Sequence, residues 1–128
     1  MMREGTLYVI LMSLLTLTAC GNSGSESLPQ GNAQRGEALF VESINTTPSC
    51  SSCHALTEQS ILGPGLAGYQ HVAGERVEGL SADAYTYQAI VRPASHLVEG
   101  YGNLMYTEYG SRLSDQELAD LIAYLLTL

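Results

Sequence analysis

Apolar residues near the C-terminal end of the chain recur every three or four positions, which is the spacing of one helix face. Ser114 stands three residues before Glu117, an arrangement typical of a helix-capping box. The pattern predicts an amphipathic helix that begins just after Ser114. Its apolar face would be formed by Leu118, Leu121, Ile122, Leu125 and Leu126.

Two shorter segments upstream also have the marks of helices. One starts near Asn32 and ends with Leu39 and Phe40. Another opens with residues 81–85 and is stopped by Pro93, because proline cannot continue a helix. No segment alternates convincingly between apolar and polar residues, as a half-buried strand would. The pattern therefore predicts an all-α fold of three to five helices.

A different apolar segment, residues 7–17, lies at the N-terminus behind the single cation Arg3. This run is short for a helix that crosses a bilayer, which needs roughly 20 apolar residues. A short charged region, an apolar run and small residues after it are typical of a secretory signal peptide. An uncleaved membrane anchor is the alternative interpretation.

The end of the apolar run resembles the signal of bacterial lipoproteins, in which a leucine and two small residues precede a cysteine. Here residues 17–20 have that pattern, and the cysteine is Cys20. Cleavage after residue 19 would leave Cys20 as the first residue, with lipid such as palmitate on its sulfur and amine. The alternative is an ordinary signal peptide with an incidental cysteine. The predicted organisation is a signal peptide (1–19), a flexible Gly/Ser-rich tether (20–31) and one domain (32–128).

Length and charge limit the function further. The 128 residues are enough for one small domain. There are 13 acidic residues against five arginines and no lysine, for a net charge of −8. We do not expect this protein to bind nucleic acid, because contacts with phosphate groups need clustered cations. A protein partner would instead need a basic docking face.

The segment with the strongest chemical signal is Cys50-Ser51-Ser52-Cys53-His54. Cys-x-x-Cys-His is the attachment signature of c-type haem. Two thiols at this spacing reach the two vinyl groups of one porphyrin, and the adjacent His54 is held beneath the iron. The sequence therefore predicts one covalently bound haem c on Cys50 and Cys53, with His54 as an iron ligand.

Two other chemistries compete for these residues. A redox-active Cys-x-x-Cys pair usually opens a helix in a βαβ unit, for which the sequence has no pattern. A structural zinc site needs four ligands, and the candidates are Cys50, Cys53 and two of the three histidines.

A second iron ligand is expected from Met105, which is the only methionine after the predicted signal peptide. It lies in the Gly-rich segment 100–106 rather than on an apolar helical face, which favours a ligand over core filler. Methionine paired with histidine raises the reduction potential of haem. His96 and His71 are the alternatives.

Other residues are candidates for contacts with the haem. The apolar candidates for the wall of its pocket are Leu66, Ile90, Val98 and Leu104. The polar candidates for its propionate groups are Tyr69, Arg76, Arg92 and Tyr101, each of which has an ordinary surface or core role as its alternative.

Taken in order, these segments resemble the small monohaem class I cytochromes c over residues 32–128. Residues 34–40 are similar to the N-terminal helix of that family, residues 62–66 to its Gly-Pro-x-Leu segment, and residues 113–125 to its C-terminal helix. The haem-attachment residues 50–54 lie between the first two of these segments.

The resemblance implies several roles. The carbonyl of Pro64 would accept a hydrogen bond from His54, and Met105 would be the second axial ligand. Gly36 would allow the N-terminal helix to approach the C-terminal helix, at Leu121 and Tyr124. The chain departs from the family in one respect near the site: Tyr106 stands where a proline usually follows the axial methionine.

The function expected from these observations is that of a lipid-anchored monohaem cytochrome. It would carry single electrons between redox proteins at the outer, extracytoplasmic face of a bacterial membrane, without catalysis of its own. An alternative is a fixed subunit of a respiratory or photosynthetic complex, such as alternative complex III or an oxidase. A haem enzyme or gas sensor with an open iron position, and a zinc-binding module, are further alternatives.

Overall fold

A computed structural model describes residues 28–128 of the chain. The predicted signal peptide, Cys20 and most of the predicted tether lie outside the described residues. The described part contains five α-helices, two single turns of 3₁₀-helix and no strand, apart from one isolated bridge between His54 and Ser60. The all-α prediction is confirmed. The helices are α1 (Ala33–Val41), α2 (Tyr69–Val72), α3 (Ala82–Val91), α4 (Tyr109–Arg112) and α5 (Asp115–Leu125).

The three longer helices begin where their capping residues predict. The side chain of Asn32 accepts a hydrogen bond from the backbone N–H of Arg35 at the start of α1, and Ser81 has the same role at α3. At α5 both halves of the capping box between Ser114 and Glu117 are formed. These bonds satisfy backbone donors that have no partner within the helix, which is why such residues mark helix starts.

The main packing contact of the domain is between α1 and α5. The rings of Phe40 and Tyr124 meet edge-on, with their centroids 5.8 Å apart. Gly36 lies directly against α5, where a Cβ atom would overlap the backbone carbonyl of Asp120 and approach the Tyr124 Cβ at 2.7 Å. The predicted close approach at Gly36 is therefore present, with Tyr124 as one partner.

The nearest atoms of α5 at Gly36 belong to Asp120, which was not among the expected partners Leu121 and Tyr124. Asp120 and Tyr124, four residues apart, share the face of α5 that meets α1. Leu121 lies in the interior, where it is 1% exposed.

A buried carboxylate ties the start of the domain to α5. Asp120 is 2% exposed and accepts hydrogen bonds from the backbone N–H of Asn32 at 2.7 Å and from Arg35 Nε at 2.7 Å. Gln116 contacts both Asp120 and the carbonyl of Gln30, and Leu28 packs against the core. Residues 28–31, the last part of the predicted tether, thus lie against the domain.

No helix within residues 28–128 combines the length and the apolar character that crossing a membrane requires.

Candidate functional site

The interior of the domain contains a cavity of about 270 Å³. Protein interiors are close-packed and hold few voids larger than a water molecule, so this cavity is too large for a packing defect. Its lining is mainly apolar and includes the buried side chains Phe40, Leu66, Ile90 and Leu121. No aspartate or glutamate lines it. The size and lining therefore suit a large, mainly apolar group such as a porphyrin.

Both cysteines of the Cys-x-x-Cys-His segment are free thiols on one tight turn. The backbone N–H groups of Cys53 and His54 both donate to the carbonyl of Cys50, at 3.1 and 3.0 Å. Cys50 lines the main cavity, and both cysteines line a smaller cavity beside it. Burial raises the pKa of the Cys50 thiol to about 11, so the unattached side chain is a neutral thiol.

The imidazole of His54 is held in one orientation. Its Nδ1 lies 2.9 Å from the carbonyl oxygen of Pro64. A carbonyl oxygen can only accept a hydrogen bond, so Nδ1 is the donor, and in the neutral imidazole the lone pair is then on Nε2. The ring also lies against Gly63, where a Cβ atom would approach Nδ1 at 2.8 Å. The hydrogen bond that the family resemblance implies is thus present, and Nε2 is the nitrogen left to bind a metal.

Met105 lines both cavities, as does His54. It is half-buried and lies on the segment between α3 and α4. His96 also lines the main cavity, but its Nε2 is 2.9 Å from Gln88 Oε1 and its ring packs against Tyr85. His71 is exposed in α2 and does not line either cavity. Of the three candidates for a second ligand, Met105 alone combines a place on the wall with a side chain that makes no hydrogen bond.

The four apolar wall candidates all line the main cavity: Leu66, Ile90, Val98 and Leu104. The two arginine candidates for the propionate groups differ in whether they reach the cavity. Arg76 lies on the wall and is the only arginine there, whereas Arg92 is exposed and does not reach it.

Two tyrosines on the wall already have hydroxyl partners. Tyr69 bonds to Thr86 Oγ1 at 2.9 Å, and burial raises the pKa of its phenol to about 12. Tyr101 bonds to Ser60 Oγ. Arg76 is therefore the polar candidate with the clearest free group for a propionate.

Tyr109 is among the wall residues that the sequence did not predict. Tyr109 is 6% exposed, lines both cavities, and donates its hydroxyl to the carbonyl of Pro48 at 2.8 Å. The only available signal was its position three residues after Tyr106, and that spacing alone does not distinguish a cavity residue from a surface one. Its pKa is raised to about 12, chiefly by burial.

Within residues 28–128, no group of three or more histidine, cysteine, aspartate or glutamate side chains is arranged to hold a metal ion. The iron ligands predicted from the sequence, one imidazole and one thioether, do not require such a group, because a porphyrin supplies the other four nitrogen atoms.

Comparison with known proteins agrees with this geometry. The family model described as cytochrome c matches residues 33–128, which include both cavities and every helix of the part of the chain that the structure describes. A search of curated proteins found no match. Since the family model covers well over half of the chain, the protein belongs to the cytochrome c family and is an electron-transfer haem protein with covalently bound haem c.

Proposed function

We propose that this protein is a lipid-anchored monohaem cytochrome c that carries single electrons between redox partners of a membrane electron-transport chain. The observation that supports this role most directly is the convergence of Cys50, His54 and Met105 on one apolar cavity. The bound haem supplies an iron that gains and loses one electron.

In this proposal each residue of the site has a distinct role. Cys50 and Cys53 would hold the haem through two thioethers, each formed by adding an S–H bond across one vinyl group. His54 would bind the iron through Nε2, while the carbonyl of Pro64 holds the imidazole in orientation and raises its basicity. Met105 would supply its sulfur as the second protein ligand of the iron. With both of these ligands bound, no iron position would be open to a substrate, which favours a carrier over an enzyme.

The proposed membrane anchor is supported by the N-terminal sequence. Two or more acyl chains on Cys20 would hold the protein stably, where one chain gives only marginal binding. Residues 21–27 would then link the lipid to Leu28, which packs against the core of the domain. Such a tether keeps the protein near the outer face of the membrane and raises its effective concentration for partners there.

The redox partner is proposed to have a basic docking face. The net charge is −8, and no carboxylate lines either cavity, so the acidic residues lie elsewhere on the protein. Three exposed leucines, Leu62, Leu97 and Leu104, also line the main cavity and form an apolar rim. A weak, transient contact at this rim would bring a partner close to the haem.

The alternative role as a fixed subunit of a membrane complex uses the same site. Stable co-purification with a large membrane assembly would favour it. Replacing Cys20 with serine should move a free carrier from the membrane to the soluble fraction without loss of haem. A complex subunit should stay with its assembly.

The proposed ligation is tested by absorption spectra of the purified protein and of Met105→Ala. The oxidised protein should show the weak near-infrared band of haem whose iron is bound by methionine sulfur. Met105→Ala should lose that band and keep both covalent links from Cys50 and Cys53 to the haem. His96→Gln and His71→Gln are the matched controls and should keep the band. A band that survives in Met105→Ala would refute the ligand assignment. Fast binding of CO by the reduced wild-type protein would favour a haem enzyme or gas sensor, and absence of a haem spectrum would favour a zinc module.

A further inference from the structure

The segment that carries Met105 is attached to the rest of the site by two aromatic rings. The ring of Tyr106 meets the ring of Tyr109 edge-on, with a centroid distance of 5.1 Å and an interplanar angle of 75°. Such edge-to-face pairs are attractive beyond their burial of apolar area. Tyr109 is buried, so its ring is a fixed surface on which Tyr106 can pack.

Tyr109 in turn contacts the haem-attachment segment. Its hydroxyl donates to the carbonyl of Pro48 at 2.8 Å, and Pro48 lies two residues before Cys50. The contacts therefore run from Met105 and Tyr106 through Tyr109 to Pro48 and Cys50. All five residues line the smaller cavity, together with His54. The methionine segment is thus held against the segment that carries the thioethers.

The ring of Tyr106 is the part of that side chain that makes this connection. Its hydroxyl points elsewhere and donates to Glu108 Oε2 at 2.9 Å, an oxygen that also accepts from Arg112. Glu108 and Arg112 are about half exposed, and exposed ion pairs contribute little. Loss of the hydroxyl should therefore matter less than loss of the ring.

We propose that Tyr106 is a positioning residue for Met105. By packing on Tyr109 it keeps the methionine segment at a constant distance from Cys50, so that the Met105 sulfur stays within reach of the iron. Without the ring, the segment gains freedom and Met105 leaves the iron more often. This inference rests on the proposed ligation by Met105.

The test is competition between Met105 and imidazole for the sixth position of the oxidised, haem-loaded full-length protein. Tyr106→Ala should increase the apparent affinity for imidazole by about 2- to 10-fold, as expected from the loss of one aromatic pair. Tyr106→Phe keeps the ring and should behave like the wild type. Tyr109→Phe removes only the hydrogen bond to Pro48 and should give an intermediate increase. It also provides a milder variant if Tyr106→Ala fails to fold.

The matched control is Tyr87→Ala. Tyr87 is another half-buried tyrosine packed against the same core, but it lies on α3 and lines neither cavity. Its loss should lower the stability of the fold and leave the imidazole affinity unchanged.

Three results would overturn the inference. The first is an unchanged imidazole affinity in both Tyr106→Ala and Tyr109→Phe. The second is an equal increase in Tyr106→Phe, which would assign the effect to the hydroxyl. The third is an equal increase in Tyr87→Ala, which would make it a general effect of instability. A failure of the proposed ligation itself is distinguishable, because the wild-type spectrum would then lack the near-infrared band; this outcome overturns both proposals.

Discussion

The imidazole of His54 can take its orientation only because the residue beside it, Gly63, has no side chain. Gly63 lies against the imidazole so closely that any Cβ atom would overlap the ring. The next residue, Pro64, supplies the carbonyl that accepts from Nδ1. Gly63 therefore leaves room for the His54 ring, and Pro64 determines which ring nitrogen carries the proton in the neutral imidazole.

This arrangement predicts the effect of Gly63→Ala. The added methyl should push the ring away from the Pro64 carbonyl and loosen His54 on the iron, so less haem-loaded protein should accumulate. The measurement is the ratio of haem absorbance to protein after purification.

Gly102→Ala is the matched control for that substitution. Gly102 also lines the main cavity, but a Cβ atom there would make only an ordinary contact, 3.8 Å from Leu104 Cγ. Equal haem content in the two variants would contradict the argument from close contact.

The helices α1 and α5 form the frame that holds the cavity. Each begins at a capping residue that can be identified in the sequence, and their apolar faces follow helical periodicity. Their separation depends on Gly36, because the backbone of α1 there lies against the backbone of α5 at Asp120. Phe40 and Tyr124, one turn further along, then pack edge-on.

Gly36→Ala should therefore destabilise the fold. The methyl would force the two helices apart, at a cost of about 1–3 kcal/mol in the free energy of unfolding, the usual range for overpacking. Urea denaturation of the haem-loaded protein measures this change.

Gly74→Ala serves as the comparison for the helix contact, because a Cβ atom there would lie 3.7 Å from its nearest neighbour, an ordinary contact. Its effect should stay within about 0.5 kcal/mol. A similar stability for both variants would show that the helices can separate without cost.

At the scale of the whole domain, a buried carboxylate connects the N-terminal end of the described chain to its C-terminal helix. Asp120 joins residue Asn32, α1 and α5, and its hydrogen bond with the Arg35 guanidinium is the largest cause that lowers the pKa of the carboxyl. The side chain of Arg35 is 58% exposed and that of Asp120 is 3% exposed, so water is excluded mainly from the carboxylate.

This lowered pKa predicts a loss of stability in acid. The carboxyl of Asp120 binds its proton less readily in the folded chain than in the unfolded chain, where its pKa is about 3.9. Its contribution is therefore fully present above that pH and is lost as the pH falls through the lower, folded value. Asp120→Asn should be less stable than the wild type at neutral pH, and the difference should shrink in acid. A constant difference from pH 7 down to pH 2, measured by thermal unfolding, would contradict this.

Much of the fold and part of the site could be predicted from the sequence. The starts of α1, α3 and α5 and the all-α class follow from caps and periodicity, because these patterns record hydrogen bonds and faces within a few residues. The Cys50–His54 segment and its haem chemistry are equally local. The contact of Gly36 with α5 was foreseen only through the family resemblance, and its partner Asp120 was missed because helix rotation depends on packing.

The remaining contacts join residues far apart along the chain, and no local pattern records them. Tyr109 reaches Pro48 across 61 positions, and Arg35 reaches Asp120 across 85. The hydrogen bond between His96 and Gln88 spans only eight positions, yet no sequence pattern indicates it either. The sequence therefore specified the chemistry and the helices of this protein. Only the tertiary structure decided which side chains form hydrogen bonds with one another, because polar groups that become buried together must be paired.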